Sequence, residues 1–442
     1  MMHDRLRDAA LLVLRNNDLG DWTKPAPRLY PHQWSWDSAF IAIGLAHVDV
    51  DRGLRELESL FAAQWSDGRV PHIVFNPEAT GYFPGPERWA SEISPHAPHG
   101  LRTSGLIQPP VHAIALQRLH EVARQLASQA FVERIARLYG KMLRWHRYLA
   151  EARDPDERGL LLIYHPWESG TDNSPRWDST LARIEVGDLE PYTRHDVKHV
   201  SDPSERPTQA EYDRYLWLVE LLKRAAYSDS EVQQNYPFLV RDVLMSAIFA
   251  AACHALEDVG TAVGRTAGEL NELRVWRDRF ASGVQHAFEH KLQLALDFDE
   301  RTESAVRVET CAGLAPLLLP QLDSELLRTL VQRLQGDGFA GAADFAHAVV
   351  PSTAPGSVGF DRRRYWRGPA WPIANWLFWS GLRRHGQSEA AERLRAANLE
   401  LLSRPDSRFG EYFEPYTAEP LGSLDQSWTA AVTLDWLATA VA

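Results

Sequence analysis

Apolar residues recur at helical spacing through most of this chain, and that periodicity limits the fold more than any other feature. Segments 54–64, 112–125, 131–152, 239–256, 267–294, 324–335, 390–402 and 425–441 each carry such a stripe. In 239–256 it runs through Leu239, Val243, Ala247, Ala250 and His254. Charged residues fill the intervening positions, as expected of exposed helix faces. Strand signals are few, the best being 69–75 and 159–164. Long connections at 65–111, 154–212, 297–312, 337–372 and 404–425, rich in Pro, Gly, aromatics and His, separate the helices. Irregular segments of that length are uncommon and usually functional. The pattern predicts an all-α chain in one 1–442 domain, an α/α barrel of about twelve helices. Segments 65–111 and 154–235 would form a small cap over one rim. A helical solenoid would show a period of roughly 30–45 residues, and no such repeat is present.

Composition narrows the function classes. The net charge of −12 opposes a nucleic-acid partner. The N-terminal residues mix Asp4, Arg5, Arg7 and Asp8 into an amphipathic pattern, unlike a signal peptide. The longest uncharged stretches, 244–256 and 368–382, read as too short to span a bilayer, so no membrane partner is expected. Cys253 and Cys311 sit amid apolar neighbours and read as buried free thiols, pointing to a cytoplasmic location. A homo-oligomer is left open.

Several familiar motifs fail on context. Gly336-Asp-Gly-Phe-Ala-Gly341 has dinucleotide spacing but follows a predicted helix rather than a strand. The segment starting at Asp154 has His165 where a calcium loop requires glutamate. No HExxH, CxxC pair, P-loop or GxSxG occurs. No metal or organic cofactor is expected.

Two aromatic–carboxylate clusters remain. Trp167-Glu-Ser-Gly-Thr-Asp-Asn-Ser-Pro-Arg-Trp-Asp178 sets Glu168, Asp172 and Asp178 between two indoles, and Gly170 and Pro175 break any helix. Phe409-Gly-Glu-Tyr-Phe-Glu-Pro-Tyr416 alternates Glu411 and Glu414 with aromatics. Flat apolar faces beside carboxylates suit a polyhydroxylated ligand with C–H faces. The plainer alternatives are a solvated loop propped on the core and an aromatic plug at a barrel end. Glycoside hydrolysis needs two differently tuned carboxyls, one protonated toward the leaving oxygen and one ionised toward water.

Together these clusters resemble the two catalytic segments of glycoside hydrolase family 63, and in particular its bacterial glucosylglycerate and mannosylglycerate hydrolases. The resemblance continues through Tyr30-Pro-His-Gln-Trp-Ser-Trp-Asp37, Gly105-Leu-Ile-Gln-Pro-Pro110, Tyr365-Trp-Arg-Gly-Pro-Ala-Trp371 and Asp425-Gln-Ser-Trp428, nearly the whole chain in order. It implies an (α/α)6 barrel and an inverting, exo-acting α-glycosidase with Asp172 as general acid and Glu411 as general base. Glu414 becomes a neighbour, and Glu168 and Asp178 orient their loop. Trp36, Asp37, Trp371 and Gln426 fall at positions that hold the sugar, with Trp366 and Arg367 beside them and Tyr30, His72 and Gly170 in the same site. Tyr82, Gln108, Arg206, Tyr212 and Tyr365 resemble positions that bind a glycerate aglycone. The implied substrate is a small anionic glycoside, glucosylglycerate first, with mannosylglycerate or a neutral α-glucoside as rivals. Two other classes share the fold or the aromatic cleft: sugar epimerases and isomerases working through histidines, and non-catalytic sugar-binding proteins.

Overall fold

The computed structural model describes residues 2–123, 129–198 and 202–439. In chain order its long helices are α1 (Met2–Asn17), α2 (Ser35–Leu45), α3 (Val50–Ala62), α4 (His112–Ala123), α5 (Gln129–Ala152), α6 (Gln209–Arg224), α7 (Val243–Ala262), α8 (Ala267–His286), α9 (Ser324–Gln335), α10 (Pro372–Arg384), α11 (Ser388–Ser403) and α12 (Ser427–Ala438). A 3-10 segment, Cys311–Leu318, takes the place of one barrel helix.

Packing closes these elements into a ring. Helix α2 touches α4, α4 touches α7, α7 the Cys311–Leu318 segment, that segment α10, α10 α12, and α12 returns to α2. Outside them lie α3 on α2, α5 on α4, α8 on α7, α9 on the 3-10 segment, α11 on α10 and α1 on α12. Six inner and six outer segments make an (α/α)6 barrel, as the sequence predicts.

Burial separates the two rings. Every residue of α2 is buried, and α7, α10 and α12 are apolar on nearly all faces. The outer helices α3 and α9 keep a single buried stripe. This difference explains why 35–45 and 372–384 escape the periodicity search. With no polar face to contrast with, a stripe is hard to see in these two segments, although the inner helices α4, α7 and α12 do show one.

Several boundaries move. Segment 239–256 begins as a strand, Val240–Asp242, and the helix then runs on to Ala262. That makes Val243–Ala262, at 20 residues, long and apolar enough to cross a bilayer, against the expectation drawn from 244–256; 89% of its apolar window is buried inside the barrel, as befits a core helix. Helix α8 ends at His286 rather than 294, where the chain turns into a hairpin pairing Phe288–Glu289 with Leu294–Ala295. Residues 124–125 and 440–441, the expected ends of two helices, lie outside the described residues.

Short strands appear where the chain leaves the barrel. Leu161–Ile163 pairs with Val240–Asp242, which pairs with Phe298–Asp299 and then Ser304–Ala305, all antiparallel. Of 69–75 only Ile73–Val74 is strand, paired with Gln33–Trp34. Helix α6 falls within the expected cap region and starts at a capping box: Thr208 accepts from the Glu211 amide while the Glu211 carboxylate accepts from Thr208. Both cysteines are buried and free.

Candidate active site

The inner helices begin at one rim, and a cavity of about 270 Å³ opens there. Asp37 lies in the first turn of α2, Gln108 just before α4, Trp366 just before α10, and Trp428 is the second residue of α12. Ligand sites run roughly 300–1,000 Å³, so this one suits a small molecule.

The 167–178 segment enters the cavity through Trp167, Gly170 and Asp172. Its other members hold it in place. Glu168, fully buried, receives both Arg153 Nη1 (2.8 Å) and Nη2 (2.9 Å), and accepts from the Tyr164 amide at 2.7 Å and the Ile107 amide at 3.2 Å. Asp178 ion-pairs with Arg367, whose Nε also donates to Asn173 Oδ1 at 3.3 Å. Trp177 is core, packed edge-to-face on Phe238, with its indole N–H on the Thr171 carbonyl. Gly170 has φ +70°, and a Cβ there would lie 2.5 Å from Trp36 Cη2. Only glycine lets the indole rest on the loop that carries Asp172.

Glu411 comes from a second loop, directly before the Tyr412–Phe413 strand, which pairs with Pro420–Leu421. Its Oε1 accepts from the Tyr30 hydroxyl at 2.7 Å and its Oε2 from the Ser423 amide at 2.9 Å. Gly422, with φ +70°, makes room: a Cβ there would sit 2.5 Å from Glu411 Oε2. Both carboxylates thus face one cavity from loops far apart in sequence.

Electrostatics separates the acids. Burial pushes Asp172 up to about 7; Arg206 opposes the shift and the Glu411 charge adds to it. Asp37 is driven well above the carboxylate range by burial and then by Glu411. Asp196 is held below the ordinary value, because Arg194 and Arg206 outweigh its burial. Burial holds His72 well below 6.5, and its Nδ1 lies 2.5 Å from Ser104 Oγ.

Arg206 is 7% exposed and borders the same cavity. Its guanidinium carbon lies 4.4 Å from the Tyr365 ring centroid, and Nη2 reaches the Tyr30 hydroxyl at 3.5 Å. Nε and Nη1 have no hydrogen-bond partner; Nε stands 3.7 Å from Asp196 Oδ2.

Of the residues singled out in the sequence, Tyr30, Trp36, Asp37, His72, Tyr82, Gln108, Gly170, Asp172, Arg206, Tyr212, Tyr365, Trp366 and Glu411 line this cavity. Gln108 Oε1 accepts from the Trp36 amide at 3.2 Å. Two placements need correction. Trp371 lies behind the wall, stacked on Trp366 with centroids 3.9 Å apart and planes 5° from parallel. Gln426 is fully buried and accepts from Ser423 Oγ at 2.6 Å, supporting the residue that holds Glu411. Both side chains are fully buried behind the lining residues. Glu414 is likewise buried, accepting from Thr417 Oγ1 at 2.6 Å.

Sequence reasoning missed Trp34 and Asp196, and it noted Trp89 and Trp428 as aromatics beside polar residues without assigning them to the site; all four border the cavity. Trp34 and Trp428 stand inside segments it quoted. Nothing local distinguishes Asp196, which matters only because Arg206 comes near it in space. Among the described residues no cluster of His, Cys, Asp and Glu could hold a metal ion.

Comparison with known proteins agrees with this geometry. Residues 30–429 match the family model of the mannosylglycerate hydrolase MGH1-like glycoside hydrolase domain. The chain is 47% identical to the glucosylglycerate hydrolase of Mycolicibacterium hassiacum, over 98% of each chain. It is 40% identical to the mannosylglycerate hydrolase of Rubrobacter radiotolerans, over 96% of this chain and 95% of that one. Its fold superposes on the crystal structure of the GH63 mannosylglycerate hydrolase of Thermus thermophilus in complex with Tris and D-glycerate. That match has TM-score 0.89 and 39% identity, over 98% of this chain and 99% of that one. The chain belongs to glycoside hydrolase family 63, as a member of its mannosylglycerate hydrolase MGH1-like group, and is a glycoside hydrolase.

Proposed function

We propose that this enzyme is an inverting, exo-acting α-glycosidase that hydrolyses 2-O-α-glucosylglycerate to glucose and glycerate. Asp172, raised to about 7, holds a proton near neutrality and gives it to the glycosidic oxygen as the C1–O bond breaks. Glu411, fixed by Tyr30 and the Ser423 amide, takes a proton from the water that attacks C1 from the opposite face. Glucose leaves as the β-anomer. Trp36 and Trp366 offer stacking faces for the sugar, with Asp37 beside them. We read 65–111 and 154–235 as one cap over this site, since Tyr82, Gln108, Arg206 and Tyr212 reach the cavity from those segments.

One observation carries the anionic aglycone. Arg206 is a buried cation in the cavity wall, its Nε 3.7 Å from Asp196 Oδ2 and its Nη2 3.5 Å from the Tyr30 hydroxyl. A guanidinium held in a cavity wall attracts an anion, and a carboxylate is the group its planar fork matches. The order of identities favours the glucoside over the mannoside: 47% to the glucosylglycerate hydrolase against 40% to the mannosylglycerate enzyme. Mannosylglycerate is the second reading, favoured by the structural match to a mannosylglycerate hydrolase.

The deciding measurement is turnover on both glycosyl glycerates and on 2-O-α-glucosylglycerol, the neutral counterpart. We expect kcat/KM to rank glucosylglycerate first, and Arg206→Gln to erase the preference for the anionic substrate. A wild-type preference for the neutral glycoside would overturn the reading.

A further inference from the structure

Segment 361–367 reads Asp-Arg-Arg-Arg-Tyr-Trp-Arg, and its arginines end on carboxylates of separate loops around the rim. Arg362 Nε stands 3.4 Å from Glu414 Oε1. Arg364 pairs with Glu211 at the start of α6, and Arg367 with Asp178 beside the acid-bearing loop. Between them Tyr365 and Trp366 line the cavity. The segment folds tightly on itself, with the Asp361 amide on the Arg367 carbonyl at 2.9 Å, so its arginines fan outward from one fixed turn.

Arg363 reaches two loops that serve different parts of the site, one leading to Arg206 and one to Glu411. Nη2 donates to Glu205 Oε1 at 2.8 Å, and Nη1 to Glu419 Oε2 at 2.5 Å. Glu205 is 1% exposed, its other oxygen has no partner, and the next residue is Arg206. A buried carboxylate is stable in that position only if its cation stays with it, so the Arg363 contact fixes the backbone from which Arg206 projects. Glu419 directly precedes the Pro420–Leu421 strand, whose partner strand directly follows Glu411; its carbonyl also accepts from the Glu414 amide at 2.9 Å.

We propose that Arg363 is a positioning residue that couples aglycone recognition to the catalytic hairpin, holding Arg206 through Glu205 and the Glu411 hairpin through Glu419. The proposal rests on the reading of Arg206 as the anion-binding group. It places specificity for a charged aglycone partly outside the cavity, in a side chain that touches no substrate.

The test is steady-state kinetics of the full chain on 2-O-α-glucosylglycerate and 2-O-α-glucosylglycerol. Arg363→Gln should raise KM for the glycerate about tenfold, change KM for the neutral glycoside about twofold or less, and lower kcat on both substrates because the Glu419 link is lost as well. Glu205→Gln should reproduce that KM effect, and the double variant should be no worse than the stronger single one, because one link is broken twice. Glu419→Gln should instead lower kcat on both substrates and leave their ratio unchanged. Arg363→Lys should recover only part of the loss, since one ammonium cannot span both carboxylates as the guanidinium fork does. Equal KM increases on both substrates, or additive losses in the double variant, would overturn the proposal. Should Arg363→Gln not fold, Glu205→Gln and Glu419→Gln carry the same split between KM and kcat. Arg206→Gln is the separate control: retention of wild-type preference by that variant refutes the reading of Arg206 itself, whatever the Arg363 variants do.

Discussion

The Tyr30 hydroxyl donates to Glu411 Oε1 at 2.7 Å, and its oxygen lies 3.5 Å from Arg206 Nη2. A single phenol therefore stands between the proposed base and the proposed anion-binding arginine. It keeps the carboxylate and guanidinium from closing directly on each other, which would leave neither free for water or substrate. Both groups stay committed to the cavity.

The two carboxyl roles are separable by leaving group. Asp172→Asn and Glu411→Gln should each lower kcat on glucosylglycerate by about 10²–10⁴-fold, the usual worth of general acid–base catalysis, with folding intact. On α-glucosyl fluoride, whose leaving group needs little protonation, Asp172→Asn should recover much of its rate and Glu411→Gln should not. Equal recovery by both would contradict the assignment.

Asp172 also sets a pH dependence. With its carboxyl near 7, kcat/KM should fall on the alkaline side as the acid loses its proton, and Asp172→Asn should lack that limb. The stability effect has the opposite sign from an ordinary paired carboxylate. The folded state binds this proton more tightly than the unfolded chain, so stability declines as pH rises from about 4 to about 7 and levels off above. Asp172→Asn should therefore melt a few degrees above wild type at pH 8 and level with it below pH 4. Identical melting curves at pH 8 would mean that the carboxyl is not raised.

Gly170→Ala tests the contact between the acid loop and the sugar platform. The added methyl would lie 2.5 Å from Trp36 Cη2 at a residue with φ +70°. The indole or the loop must yield, and catalysis tolerates little displacement: shifts of about 1 Å can cost about 100-fold. We expect kcat/KM to fall by one to two orders of magnitude, and the double variant Trp36→Ala/Gly170→Ala to recover nothing further. Near-wild-type kinetics would show that the contact does not position Asp172.

Arg153→Met should act on stability. It leaves Glu168 buried with two backbone donors and no cation, at a cost of about 3–5 kcal/mol. Arg153→Met/Glu168→Gln should recover part of that loss, which chemical denaturation of the three variants would measure. A cost below about 1 kcal/mol for the single variant would mean that the pair is not what anchors the loop.

How legible the molecule was depends on what its neighbours demand of each segment. The outer helices declare themselves because each has one wet face; 54–64 and 324–335 match α3 and α9 closely. Inner helices α2 and α10 hide because neither face meets water. In the site, Asp172 and Glu411 stood out by their aromatic, glycine-bearing surroundings, and the structure sets both on one cavity. Trp371 and Gln426 carried the same local signal and lie behind the wall, since a tryptophan beside a wall looks the same in sequence as one within it.

Sequence by itself determined the helical class, the two carboxylate segments and the family, because periodicity and local motifs are properties of short stretches. Only the tertiary structure decided which acids share a cavity, which one burial raises to about 7, and that Arg206 borders the same cavity. Those properties depend on ring closure bringing residues 30, 172, 206 and 411 to one rim. Desolvation and charge act through space, and no spacing along the chain encodes them.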